Sequence, residues 1–162
     1  KITFERYIMG SYFEQVLYYA NLRFSKMTGG RYEIVRGESR DKRISAGLEI
    51  SVRDNFNNKE RDISSLSGGE SFQASLALAL GLSDIIQQRN GGIRLDSIFI
   101  DEGFGSLDEH SRDKAVRVLQ NMAGDSRMIG IISHVSELKQ EIEDKLIVQK
   151  DGEGSHVRWQ IS

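Results

Sequence analysis

Apolar residues recur at three- and four-residue steps near the start of the chain: Met9, Phe13, Val16, Leu17, Ala20, Phe24 and Met27. That spacing puts them on one face of a helix. Charged Glu5, Arg6, Glu14 and Arg23 lie among them, and Gly29-Gly30 supplies a stop signal, so residues 1–27 are predicted as one amphipathic helix. The period then shortens. RYEIVR (31–36) reads as a strand, and Ile44, Ala46, Leu48, Ile50 and Val52 alternate with polar or small residues, predicting a half-buried strand over 44–53. The charged loop Gly37 to Arg43 would join the two as an antiparallel hairpin, and residues 54–63 read as a polar loop.

From residue 64 helix and strand alternate. A helix is predicted over 67–89 on the stripe Phe72, Leu76, Ala79, Leu80, Ile86, ended by Gly91-Gly92. Strand 96–101, helix 108–123, strand 127–132 and helix 134–142 follow. Two last strands, 144–150 and 155–161, turn at Asp151-Gly152. Strands separated by helices imply a parallel α/β core. The expected organisation is a helix over 1–30 at the base of a coiled coil, a hairpin and loop over 31–63, and an α/β lobe over 64–162, in one globular domain.

Composition narrows the classes. The 162 residues carry 22 Lys+Arg against 24 Asp+Glu, a net charge of -2, which argues against a strongly basic nucleic-acid module. The balance is uneven, with about +3 over residues 1–62 and -5 over 63–162. The absence of Cys excludes disulfides, thiolate zinc and a Cys nucleophile. The absence of Pro, normally about 5%, favours regular elements joined by glycine turns. The longest nearly apolar run, Ala77 to Leu82, is far too short for a bilayer. The chain opens on Lys1, not Met, which suggests a piece of a longer polypeptide.

Four short motifs carry candidate chemistry. Ser67-Gly68-Gly69-Glu70 stands at a loop-to-helix junction with the S-x-x-E spacing of a capping box. A cap needs no ligand, but it needs no paired glycines either, and glycine in a first helical turn costs stability. Two glycines at a helix N-terminus permit close approach by a backbone or a phosphate. Asp101-Glu102 ends an apolar strand, where open α/β sheets bind ligands; one carboxylate could hold Mg²⁺ and the other address a water. Gly105-Ser106-Leu107-Asp108 opens the next helix with Asp108 as N-cap. Ser133-His134 follows a second apolar strand, on the edge that would hold Asp101 and Glu102, where an imidazole can donate to a phosphate oxygen.

Taken in order, these motifs resemble those of the ABC-type ATPases. LSGGE (66–70) is similar to the signature, IFIDE (98–102) to Walker B, GSLD (105–108) to the D-loop, and His134 to the switch histidine. The resemblance covers about residues 64–151. No G-x-x-x-x-G-K-[ST] phosphate loop is present, since the chain has no Gly-Lys pair, and there is no convincing Q-loop. It therefore resembles the C-terminal lobe of an ABC-type head. Glu70 and Gly103, where transporter domains usually have Gln and Pro, resemble the chromosome-maintenance and repair branch. SLSGGESFQASLALALGLSDIIQ with LDSIFIDEGFGSLDE looks most like the SbcC family, ATPase subunits that act with a nuclease subunit.

The resemblance implies ATP and Mg²⁺ as ligands. Asp101 would help hold Mg²⁺, Glu102 would be the general base, and His134 would contact the γ-phosphate. Ser67, Gly68, Gly69 and Glu70 would form the signature that reaches ATP bound to a second copy of the head, and Ser106 and Asp108 would link the two sites. The implied partners are the N-terminal Walker A segment of the same protein, a second head in an ATP-dependent homodimer, an SbcD-like nuclease subunit and double-stranded DNA, in the cytoplasm at the nucleoid and away from membrane. The chain would be inactive without the Walker A segment. Arg36, Arg40, Lys42 and Arg43 on the hairpin are weaker candidates for DNA phosphates, diluted by Glu38 and Asp41. An SMC- or RecN-like half-head without a nuclease is the alternative. A transport ATPase and a non-catalytic binding domain are further readings.

Overall fold

The computed structural model describes residues 4–37, 48–89, 95–123 and 127–161. Helix α1 (Phe4–Thr28) lies against helix α2 (Gly68–Arg89). The face of α1 that is buried holds Leu17, Ala20, Phe24 and Met27, against Ala74, Ala77 and Leu80 of α2. The two backbones approach closely where Gly81 meets α1. A Cβ there would stand 2.7 Å from both the Ala20 nitrogen and the Val16 carbonyl oxygen, so only glycine lets the helices approach this far. Phe24 is fully buried, and its truncation to Ala would cost about 3–5 kcal/mol. Gly29 and Gly30 end α1 as expected, both with positive φ, and the Gly30 N–H closes back on the Ser25 carbonyl at 2.7 Å.

The apolar stripe of α1 reaches further along the sequence than the packing does. Met9 is 50% exposed, Phe4 78% and Tyr7 67%, so the first turns of α1 carry apolar residues that the rest of the molecule does not bury. On α2, Leu76 and Leu80 are buried as expected, but Ala79 is exposed and Gln73 buried. The Gln73 amide donates to the Met27 carbonyl at 3.4 Å, which satisfies it at the end of α1.

Strands β1 (Tyr32–Arg36) and β2 (Ile50–Asp54) pair antiparallel. Ile44 and Ala46, in the first part of the expected strand 44–53, lie outside the described residues, as do Gly91 and Gly92. Within the polar loop expected over 54–63, residues 55–58 are a turn, but Lys59–Asp62 form a third strand, β3, paired antiparallel to β2 and followed by a 3₁₀ turn over Ile63–Ser65. KERD has no apolar alternation to reveal it. Pairing rests on backbone hydrogen bonds, and the charges suit an edge strand.

The α/β part begins with β4 (Ser97–Asp101) and β5 (Met128–Ile132), parallel neighbours joined through helix α3 (Glu109–Gln120). The expected helix over 134–142 shrinks to one turn, α4 (Leu138–Glu141). The Ser133 hydroxyl accepts the Val135 N–H at 3.1 Å, which makes a turn where the helix would have started. Strands β6 (Lys145–Asp151) and β7 (Gly154–Gln160) form a hairpin whose turn is held by Asp151, which accepts the N–H groups of Glu153 and Gly154.

Candidate functional site

The signature segment has the local structure its spacing predicts. Ser67 caps α2: its hydroxyl accepts the Glu70 N–H at 3.3 Å, and Glu70 Oε2 accepts the Ser67 N–H at 2.9 Å. Accepting a hydrogen bond leaves the hydroxyl proton free to be donated outward, so capping and anion binding are compatible at Ser67. The N–H groups of Gly68 and Gly69 lie in the first helical turn, where no intrahelical acceptor exists.

The two glycines differ. A Cβ on Gly69 would stand 2.8 Å from the Ser106 carbonyl oxygen and 3.3 Å from Leu107 Cδ2, whereas one on Gly68 would meet only Ser106 Cβ, at 3.9 Å. Gly69 thus admits the backbone of the D-loop segment of the same chain. The 3₁₀ turn Phe104–Ser106 packs on the start of α2, which brings Ser106 and the signature together. The Ser106 hydroxyl donates back to the Gly103 carbonyl at 2.7 Å, so it is engaged within this turn. Asp108 is the N-cap of α3 and accepts the Ser111 N–H at 3.0 Å. Hydrogen bonds from the Ser111 side chain and backbone hold its carboxyl below the usual 3.8.

Asp101 and Glu102 stand at the carboxyl end of β4, beside the end of β5. The Glu102 N–H donates to the Ile132 carbonyl at 2.9 Å, which continues the parallel ladder by one residue. Glu102 then has φ +57 and Gly103 φ +96, so the chain turns sharply through two left-handed residues. A non-glycine residue in that region is unusual and marks a position held by its surroundings. The turn aims the Glu102 carboxylate at His134: Oε2 lies 2.9 Å from Nδ1. The imidazole is 82% exposed, so a ring that holds the carboxylate through Nδ1 can still address another group through Nε2. Asp101 is exposed and separate from that pair. Among the described residues no three His, Asp or Glu side chains gather as a metal cage. One exposed carboxylate suits Mg²⁺, which keeps several waters and takes its other oxygens from phosphates.

Of the basic candidates, Arg36 is engaged within the molecule. Its Nη1 pairs with Glu14 at 3.3 Å, and the guanidinium lies over Gly10. Arg40, Lys42 and Arg43 lie outside the described residues.

Behind the signature stands a group that the hydrophobic pattern did not reveal. Arg61 on β3 donates from Nη1 to the Ser65 carbonyl at 2.9 Å and from Nη2 to the Tyr32 hydroxyl at 3.2 Å, and Nη2 is 4.0 Å from Glu70 Oε2. Burial pushes the Glu70 carboxyl up, but hydrogen bonds from Ser67 and Tyr32 and the charge of Arg61 outweigh it, leaving it below 4.5. Burial and the neighbouring Glu70 carboxylate raise the Tyr32 hydroxyl above 10.0. The only sequence signal was an Arg six residues before Ser67, inside a segment read as loop.

A helix start with paired glycines thus leans on the turn that follows a parallel strand's Asp-Glu. Solved structures agree in fold. One, described as "Structural biochemistry of ATP-driven dimerization and DNA stimulated activation of SMC ATPases", superposes with a TM-score of 0.72 at 17% identity, over 95% of this chain and 88% of that one. The "SMC head domain from Thermotoga maritima" matches with a TM-score of 0.63 at 20% identity, over 98% of this chain and 51% of that one.

Residues 38–121 match the family model "SbcC/RAD50-like, Walker B motif", and the chain belongs to that family. It is 53% identical over 159 residues to the SbcC subunit of the SbcCD nuclease of Staphylococcus epidermidis, covering 98% of this chain and 16% of the relative. It is 52% identical to the SbcC protein of Staphylococcus haemolyticus, with the same coverage. The chain therefore spans about a sixth of the length of the curated relatives it matches. Among the described residues no helix is long and apolar enough to cross a membrane.

Proposed function

We propose that this chain is the C-terminal part of the ATP-binding and ATP-hydrolysing head of an SbcC-like subunit in a DNA double-strand-break-repair nuclease complex. The observation that carries this reading is the joining of the signature start to the turn after Glu102, through the contact of Gly69 with Ser106. ATP would bind to a Walker A segment elsewhere in the same polypeptide. Surfaces of this chain favour such a complement. On the β6–β7 hairpin Leu146 lies opposite Trp159 and Val148 opposite Val157, and all four are 49% or more exposed. Phe99, Met128 and Ile132 leave a second exposed apolar surface on β4–β5, and an apolar cleft lined by Phe72, Leu76 and Ala79 adjoins β4. Apolar area of this extent is stabilised by a covering segment.

In this reading Glu102 accepts the proton of the attacking water as general base, and His134 orients its carboxylate through Nδ1 while Nε2 faces the γ-phosphate. Bound Mg²⁺ would neutralise developing charge on the phosphate oxygens, with Asp101 as its protein ligand. Ser67, Gly68 and Gly69 present donors to the γ-phosphate of ATP held by a second head, and Glu70 keeps that helix start in shape. Ser106 and Asp108 lie beside them, suited to linking the two sites. ATP then joins two heads, and hydrolysis releases them. Double-stranded DNA and an SbcD-like nuclease are the partners this assembly would serve, in a cytoplasmic, nucleoid-associated setting, with Arg36, Arg40, Lys42 and Arg43 as secondary candidates for DNA phosphates. The chain alone would not hydrolyse ATP.

The test uses the complete head, with both lobes. Glu102→Gln is expected to keep ATP-driven dimerisation while lowering turnover at least a hundredfold; normal turnover removes Glu102 as the base. Ser67→Arg is expected to block dimerisation while one head still binds ATP, and wild-type dimers would refute the signature's role in trans.

A further inference from the structure

Arg61 reaches the signature from two directions. Its Nη1 holds the carbonyl of Ser65, two residues before the cap, at 2.9 Å. Its Nη2 lies beside Glu70, whose Oε2 holds the Ser67 N–H. The chain entering Ser67 and the amide of Ser67 are therefore both tied to one planar guanidinium. That group is itself fixed. Arg61 is paired with Val52 in the sheet, and Val52 is fully buried. The Tyr32 hydroxyl that receives Nη2 belongs to a ring only 3% exposed, stacked on Phe24 with centroids 6.4 Å apart. Arg31 lies 4.7 Å from the same ring and pairs with the buried Asp54, which helps hold β1 in place. A frame of buried side chains thus extends through one fork to the residues just before an exposed helix cap.

We infer that Arg61 is a positioning residue for the signature: with Tyr32 and Glu70 it holds Ser67 in the geometry that engages the γ-phosphate on an opposing head. This rests on the proposed trans role of the signature. The chemistry calls for arginine specifically. A guanidinium offers two donors at fixed separation, one for the Ser65 carbonyl and one for Tyr32 and Glu70, whereas a lysine ammonium is a point charge on a flexible stem. A role in local charge alone would be met by either residue. Pre-formed donors also avoid an ordering cost when the phosphate arrives, so loosening them weakens assembly without touching the nucleotide's own head.

The test compares wild type, Arg61→Lys, Arg61→Ala, Tyr32→Phe and Ser67→Arg in the complete head. Three quantities are measured: ATP affinity of the single head, the ATP-dependent dimerisation constant, and amide hydrogen exchange over residues 65–71. Arg61→Lys and Arg61→Ala are expected to weaken dimerisation about tenfold or more, the effect of losing one charge-assisted hydrogen bond. Exchange over 65–71 should quicken, with ATP affinity of the single head unchanged. Tyr32→Phe keeps the buried ring and should give a smaller shift in the same direction. Wild-type dimerisation and exchange in Arg61→Lys would overturn the inference, as would an equal loss of single-head ATP binding, which would mark general damage. Normal dimerisation in Ser67→Arg would overturn the trans-signature reading on which it rests. A block there, with Arg61→Lys like wild type, would sink the Arg61 inference alone.

Discussion

Gly103, between the Asp101-Glu102 pair and the D-loop turn, offers a direct measure of how tightly the signature helix is packed on that turn. Its φ of +96 lies in the left-handed region, and a Cβ there would stand 2.1 Å and 2.3 Å from two ring atoms of Phe72 on α2. The Phe72 ring cannot simply move aside, because it packs edge-on against the fully buried Phe104 with centroids 5.0 Å apart. Gly103→Ala therefore meets two costs: roughly 1–2 kcal/mol for an L-residue in the left-handed region, and about 1–3 kcal/mol for overpacking. The sum is about 2–5 kcal/mol. Two other glycines separate the terms. Gly30 has φ +80 and nothing within 4 Å of its Cβ position, so Gly30→Ala carries the backbone cost alone. Gly152 has open space and no positive φ, so Gly152→Ala should be within about 0.5 kcal/mol of wild type. Urea unfolding of the three variants gives the comparison. Gly103→Ala should fall below Gly30→Ala by about 1–3 kcal/mol, or a melting shift of roughly 2–12 °C at this size. Phe72→Leu in the Gly103→Ala background should recover part of the gap. Equal stabilities for Gly103→Ala and Gly30→Ala would show that Phe72 does not constrain the turn.

Two other perturbations follow from charge. Asp84 on α2 accepts Arg23 of α1 at 2.5 Å and lies 3.7 Å from Arg127, all three side chains being 16% exposed or less. Asp84→Asn leaves two guanidiniums facing each other in a partly dry site and should cost about 1–3 kcal/mol; a melting temperature within a degree of wild type would contradict this. The second is pH. A carboxyl held below its usual value stabilises the fold above the unfolded value and loses that contribution as pH falls through the folded one. Glu70, lowered from 4.5, should thus make stability flat near neutrality and falling below about pH 4.5. Glu70→Gln should lose less between pH 7 and pH 4 in a denaturant titration, and an unchanged acid slope would refute the assignment.

The elements that could be read from the residues are those with a local cause. Gly29-Gly30 ended α1, and Ser67, Glu70 and Asp108 formed their caps, because these act within a few residues of chain. The parallel β4–β5 pair followed from apolar strands divided by a helix. The helix over 134–142 was lost to a local turn at Ser133, but two other misses had long-range causes. β3 was hidden because KERD pairs through its backbone on a sheet edge, which requires no apolar pattern. Met9 fits the helical stripe but lies exposed, because what packs against α1, not the period of α1, decides what is covered. The four motifs and their order were present in the residues alone, and so was the family they resemble. Only the tertiary structure decided that Gly69 admits the Ser106 backbone, that Glu102 turns through a left-handed residue to meet His134, and that Arg61 reaches the signature. Each joins residues distant in sequence, or depends on a backbone torsion set by packing, and hydrophobic periodicity reports neither.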